Sequence, residues 1–130
     1  MNAAPVLPLG NEIVDDLWFE DATYIFQAGS KLFRLYHGIL AKRSSVFHDM
    51  FSVPQSLDPN NSDVMDGCTL IRLPDDAKDV YHFFRALFDQ EYIQASNGEY
   101  SFDFNHILAI LRLSHKYDVP YLRKRTLSHL

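Results

Sequence analysis

Two spacings divide the chain. Short runs of β-branched and aromatic residues occupy its first third and return once near the middle, whereas elsewhere apolar residues recur every three or four positions. Thr23-Tyr24-Ile25-Phe26 and Leu32-Phe33-Arg34-Leu35-Tyr36 read as the strands of a hairpin, because the intervening Gln27-Ala28-Gly29-Ser30 carries the glycine a tight loop wants. Thr69-Leu70-Ile71-Arg72-Leu73 reads as a third strand, stopped by Pro74. Between them, residues 37–43 fit a short helix, and Ser44 or Ser45 can cap a second that runs through Phe47, Met50 and Phe51. Asp75 or Asp76 can cap a third helix, in which Val80, Phe83, Phe84, Leu87 and Phe88 make a continuous apolar stripe. Phe104, Ile107, Leu108 and Leu111 begin a fourth that reaches about Tyr117, and Pro120 opens a fifth, with Val119 forced toward extended geometry at the break.

This layout predicts an α+β domain: a small, mostly three-stranded sheet flanked by at least five helices. Residues 1–16 mix prolines, a glycine and acids without periodicity and read as a flexible N-terminal leader, with order beginning at Leu17, Trp18 and Phe19. The domain then spans 17–130. Within it, residues 52–67 have the composition of a mobile loop, and Ser96-Asn97-Gly98 reads as a turn.

Composition narrows the class. A chain of 130 residues, 47% hydrophobic and 14% aromatic, is one domain with a core of its own. At this size folding buries roughly 68% of the unfolded chain's surface, so no metal or disulfide staple is required. The single cysteine, Cys68, excludes an intrachain disulfide and suits a reducing, intracellular address in cytoplasm or nucleus. The net charge of -5 is unevenly spread: residues 1–30 hold five acids and no Lys or Arg, whereas residues 112–130 hold five bases against one acid. An acidic body disfavours general nucleic-acid binding. The start has neither the positive region of a secretory signal nor the arginines of a transit peptide, and apolar runs of about five residues fall short of the ~20 that span a bilayer. A membrane role is not expected.

Candidate chemistry is sparse. His37 lies between Tyr36 and Gly38 with no motif-supported nucleophile, so it reads as a structural joint between strand and helix. Cys68 has no Cys-x-x-Cys companion. His82, His106, His115 and His129 are scattered over different helices without the spacing that sets two imidazoles on one face for zinc. Asp75, Asp76 and Asp79 are helix-start acids rather than a calcium loop. No catalytic, cofactor or metal site is predicted. Arg123-Lys124-Arg125, with Arg112 and Lys116, could meet phosphates, which keeps open an alternative: a nuclear transcription regulator touching DNA or chromatin through its basic last helix. On the second short helix, at least one of Phe47, Met50 and Phe51 should be exposed, which makes a candidate partner site.

Asp21-Ala22-Thr23-Tyr24 followed by Phe33, His37, Leu40-Ala41, Ser44, Phe47 and Met50-Phe51 resembles the opening of the BTB/POZ domain. Leu87-Phe88 through Tyr92, and Leu111-Arg112-Leu113-Ser114-His115-Lys116-Tyr117-Asp118-Val119-Pro120-Tyr121-Leu122, resemble its middle and late helices. Trp18-Phe19-Glu20-Asp21, the stretch His48-Asp49-Met50-Phe51-Ser52-Val53-Pro54-Gln55, and Asp66-Gly67-Cys68 are most similar to the BTB proteins abundant in mushroom-forming fungi. The resemblance implies a non-enzymatic interaction module that forms homodimers and recruits partners, among them a cullin scaffold for ubiquitin-ligase adaptors or transcriptional co-regulators. It implies a dimer face at Trp18, Phe19, Gly38, Ile39 and Lys42, and structural motif positions at Asp21, His37, Leu40 and Ser44. Two positions depart from the pattern. Gly38 stands where the family usually has Arg or Lys, which leaves Asp21 without that partner, and Ser52 stands where cullin-binding members often carry glutamate in an apolar-x-Glu motif.

Overall fold

The computed structural model describes residues 11–53, 64–89, 91–92 and 104–129. The chain divides into two compact units, one of residues 1–37 and 54–75, the other of residues 38–53 and 76–130.

The first unit is a mixed five-stranded sheet in the order β1-β3-β2-β5-β4, formed by β1 (Glu12–Trp18), β2 (Tyr24–Ala28), β3 (Lys31–Leu35), β4 (Val64–Met65) and β5 (Cys68–Leu73). β2 and β3 are the expected hairpin, turning at Gly29, whose φ of 55° is easy for glycine. β5 adds to β2 in parallel. Their registers pair Phe26 with Phe33 and Ile71, and Ile25 with Arg34 and Leu70, so side chains alternate cleanly between faces. One face buries Ile25, Leu32, Cys68 and Leu70 as a cluster, with Trp18 and Met65 packed against it. The other presents Phe26, Ala28, Phe33 and Leu35, all fully buried. Both faces bury apolar residues. The continuous Tyr-Ile-Phe and Leu-Phe runs follow from that, since a strand buried on both sides needs no polar alternation.

Two strands lie outside the three expected. β1 starts at Glu12, within the span read as leader, and lies parallel to β3 at the sheet edge with a register shift between Ile13 and Trp18. It was illegible because an edge strand that is mostly part-exposed tolerates acids at Asp15 and Asp16 without periodicity; only Leu17 and Trp18 at its end bring apolar side chains onto the sheet. The ordered domain therefore starts before residue 17. β4 falls in the span read as loop, turning back into β5 through Asp66 and Gly67, with φ of 52° and 75°. Two positive φ values make the tight hairpin turn for which Asp-Gly is the preferred pair. That signal was present in the sequence. Of the loop, Ser52 belongs to a helix and residues 54–63 lie outside the described residues, as does the turn at 96–98.

α1 (His37–Arg43) leads into the second unit, which also holds α2 (Ser45–Ser52), α3 (Ala77–Phe88), α4 (Phe104–Lys116) and α5 (Pro120–Leu127). Of the two candidate caps of α2, Ser44 is the one used: its Oγ accepts from the Phe47 N–H at 3.0 Å and donates to the Tyr117 carbonyl at 2.5 Å. Asp76 caps α3 by accepting from the Lys78 and Asp79 amides, while Asp79 pairs with Arg112 of α4 at 2.6 Å. α4 ends in a Schellman motif: the Val119 N–H reaches the Ser114 carbonyl, the Asp118 N–H reaches that of His115, and Asp118 takes a φ of 51°. Glycine usually fills that position, and an L-residue there costs about 1 kcal/mol. Pro120 then starts α5 as predicted.

The core of this unit is aromatic. Phe47 stacks on Tyr117 at 4.7 Å between ring centroids, Phe83 lies 5.8 Å from Tyr117, and Phe84 lies 6.4 Å from Phe47. Leu40, Val80, Ile107, Ile110, Leu113 and Leu122 complete it. Among the described residues no buried side-chain nitrogen or oxygen lacks a hydrogen-bond partner.

Ser44→Ala removes both a helix cap and the donor to a buried carbonyl, and should lower stability by about 2 kcal/mol. Ser45→Ala, at the exposed neighbour, should cost less than about 1 kcal/mol. Urea unfolding with unchanged m-values distinguishes them; equal midpoints for the two variants would contradict the assignment of the cap.

Candidate functional site

The residues expected at a dimer face fall on both units. In the first, Trp18 ends β1 half-buried on the sheet cluster, with the Arg34 guanidinium 5.8 Å from its ring. Arg34 donates from Nε to the Ala22 carbonyl at 2.7 Å and its Nη1 lies 3.6 Å from Asp66. One side chain thereby ties β3 to the turn before β2 and to the β4–β5 turn. Phe19 follows, its N–H bonded to the Arg34 carbonyl and its ring 4.8 Å from Tyr36. Asp21 does have a partner: the Tyr36 hydroxyl donates to its carboxylate at 2.5 Å. The sequence gives no sign of this, because the motif places a cation after His37, whereas the partner is a phenol before it. His37 stacks on Tyr24 at 4.2 Å, which suits a joint between β3 and α1.

In the second unit, α1 buries Leu40 fully and leaves Gly38, Ile39 and Lys42 exposed, with Ile39 at 42%. A Cβ on Gly38 would meet nothing within 4 Å, so the glycine is not there for want of space. α2 corrects one expectation. Phe47 is fully buried in the aromatic core and cannot meet a partner; Met50 and Phe51 are half-buried, with the Phe51 ring 5.8 Å from that of Phe47. None of the three reaches the exposure anticipated for at least one, because Phe47 stacks on Tyr117 and packs tilted against Phe84, which draws the adjacent turn inward. Ser52 is exposed, bonding back to the His48 carbonyl, and Val53 beyond it is 60% exposed. Val53 is the apolar group the sequence reading passed over, hidden by its place at the edge of a polar stretch.

Cys68 is buried, and burial pushes its thiol up, against an opposing pull from Arg34. The histidines are less scattered than their sequence positions suggest: α3 and α4 stack His82 on His106 at 3.7 Å, and the Tyr92 hydroxyl lies 2.6 Å from His82 Nδ1. Among the described residues no three His, Cys, Asp or Glu side chains gather as metal ligands, and no helix is long and apolar enough to cross a membrane.

No protein-family model and no curated protein matches the sequence. The structure is similar to the BTB (Tramtrack and Bric a brac) domain of human gigaxonin, with a TM-score of 0.58 over 84% of this chain and 77% of that one, at 10% sequence identity. It is also similar to the BTB domain of zebrafish PATZ1, with a TM-score of 0.53 over 82% of this chain and 73% of that one, at 13% identity. The chain therefore has the BTB-domain fold.

The bond to Asp21 raises the Tyr36 phenol above its ordinary value of 10.0, because a phenolate would face a carboxylate. A raised phenol means the folded state holds its proton more tightly, so this contribution is whole below about pH 10 and fades as pH climbs through the raised value. Tyr36→Phe should flatten the alkaline decline in stability, measured as urea midpoints between about pH 9 and about pH 11. Identical profiles for the two proteins would refute the coupling.

Proposed function

We propose that this chain is a non-enzymatic protein-interaction module that self-associates and recruits other proteins. The observation that carries the reading is the outer side of α1, where Ile39 stands exposed between exposed Gly38 and Lys42 while Leu40 anchors the helix beneath. An apolar residue framed by small and charged ones suits a contact that packs at its centre and stays wet at its rim. Trp18 and Phe19 of the first unit are proposed contacts of the same self-association, a reading the BTB fold supports. The module acts inside the cell, in cytoplasm or nucleus, where a lone buried thiol such as Cys68 stays reduced. The similarity of residues 18–21, 48–55 and 66–68 to proteins of mushroom-forming fungi belongs to the same reading.

Sedimentation equilibrium tests it. The wild-type chain should dimerise at tens of micromolar, on the order of a useful homodimer affinity, and Ile39→Asp should shift it to monomer. Ile39 suits the test better than Trp18, whose ring packs on the sheet cluster and whose loss would also cost stability. A wild-type chain that remains monomeric in that range defeats the self-association reading.

For recruitment, the proposed partner is a cullin-type ubiquitin-ligase scaffold, engaged by Met50, Phe51 and Ser52 at the end of α2, with Val53 added to the surface and Phe47 moved to its support. Half-buried apolar anchors are the groups whose truncation costs most at an interface, and a rim charge matters less. By calorimetry against a cullin N-terminal region, Met50→Ala should weaken binding by about 2 kcal/mol, and Ser52→Glu should tighten it. If the wild type gives no heat and Ser52→Glu restores none, co-regulator recruitment or plain dimerisation replaces the adaptor role.

A further inference from the structure

Serine or threonine hydroxyls with two or more Lys or Arg within the five residues before them occur in two places. Lys42 and Arg43 precede Ser44 and Ser45, and Arg123, Lys124 and Arg125 precede Thr126 and Ser128. Cationic side chains two, three or five residues before a hydroxyl are what the carboxylates of a basophilic protein kinase grip, by charge-assisted hydrogen bonds. By sequence alone the four hydroxyls are close rivals.

The structure separates them. Ser44 is buried, its oxygen spent on the Phe47 amide and the Tyr117 carbonyl. Thr126 has three bases directly before it, yet it is fully buried and its hydroxyl donates to the Leu122 carbonyl at 2.6 Å. Ser45 is exposed, but its Oγ sits 2.5 Å from the Asp118 carboxylate, so a phosphate there would face a fixed negative charge. Ser128 has none of these obstacles. It is exposed at the C-cap of α5, its Oγ bonds only a backbone carbonyl, that of Arg125, at 2.6 Å, and α5 contains three bases and no acid. Arg125 and Arg123 stand three and five residues before it.

We infer that Ser128 is a phosphorylation site for a basophilic kinase. Ser128 Oγ attacks the γ-phosphorus of ATP held by that kinase. The new O–P bond forms as the bond to the ADP oxygen breaks, ADP leaves, and the hydroxyl proton passes to the kinase's catalytic carboxylate. The product carries a charge of about -1.5 to -2 at a helix C-terminus, where the macrodipole opposes it, so the last turn of α5 loosens. It also cancels roughly half of the +4 carried by residues 112–130.

The full chain incubated with Mg-ATP and a purified kinase that requires Arg three residues before its target should gain one phosphate, placed on Ser128 by fragmentation mass spectrometry. Ser128→Ala should gain none, and Arg125→Gln should slow incorporation by about tenfold or more. Hydrogen exchange at residues 124–128 should quicken in the phosphorylated chain. Three results would overturn the inference: phosphate on Ser45 or Thr126 in place of Ser128, no transfer to the folded chain when a peptide of residues 120–130 is a substrate, or no transfer to either.

Discussion

A single buried hydroxyl organises the helical unit. Ser44 accepts from the first turn of α2 and donates to the carbonyl of Tyr117, so the start of one helix and the end of another, distant in sequence, share one oxygen. Both bonds sit out of water, where a missing partner is expensive. They set the position of Phe47 three residues on and of the Tyr117 ring, and those two rings then stack at the centre of the core with Phe83 and Phe84 around them. Few alternative arrangements satisfy the hydroxyl and the four rings together, which is why the short α1 and α2 hold defined geometry at about two turns each. Helices of that length have little stability of their own.

The sheet unit depends in the same way on Arg34. Its guanidinium is mostly covered, reaches the Ala22 carbonyl and the Asp66 carboxylate, and lies against the Trp18 ring. A cation on a half-apolar sheet face is tolerable because each contact replaces water with an acceptor or a π-face. Through it the edge strand β1 and the small β4 hairpin are tied to the central pair.

These constraints explain which apolar and charged groups remain on the surface. Phe47, Phe83 and Phe84 are consumed by the core, and among the described residues the large apolar groups left exposed are Ile39 on α1, Val53 after α2, Val64 on β4, Phe104 and Leu108 on α4 and Leu127 at the end of α5. Charge is distributed on the same logic. Arg112 is neutralised by Asp79, and the Arg43 guanidinium rests 4.5 Å from the Tyr121 ring, whereas α5 gathers Arg123, Lys124 and Arg125 without an acid of its own. Ile39 thus stands exposed on α1, while α5 is basic.

Periodicity by itself determined the hairpin, β5, the striped α3, the break at Val119 and the start of α5, because each of these is decided by local spacing or by proline and glycine backbone limits. The motif positions from Asp21 to Ser44 also pointed to the right fold. Tertiary structure alone decided the rest. β1 pairs with β3 through backbone bonds and buries only Leu17 fully, which leaves no side-chain rhythm to read. Asp21 meets Tyr36, and His82 meets His106, across separations that sequence spacing cannot measure. Whether Ser44 or Ser45 caps α2, whether Phe47 faces core or partner, and whether Thr126 or Ser128 is open to solvent were undecidable from residue type, since neighbours of equal polarity differ only in which side of a helix the packed core claims.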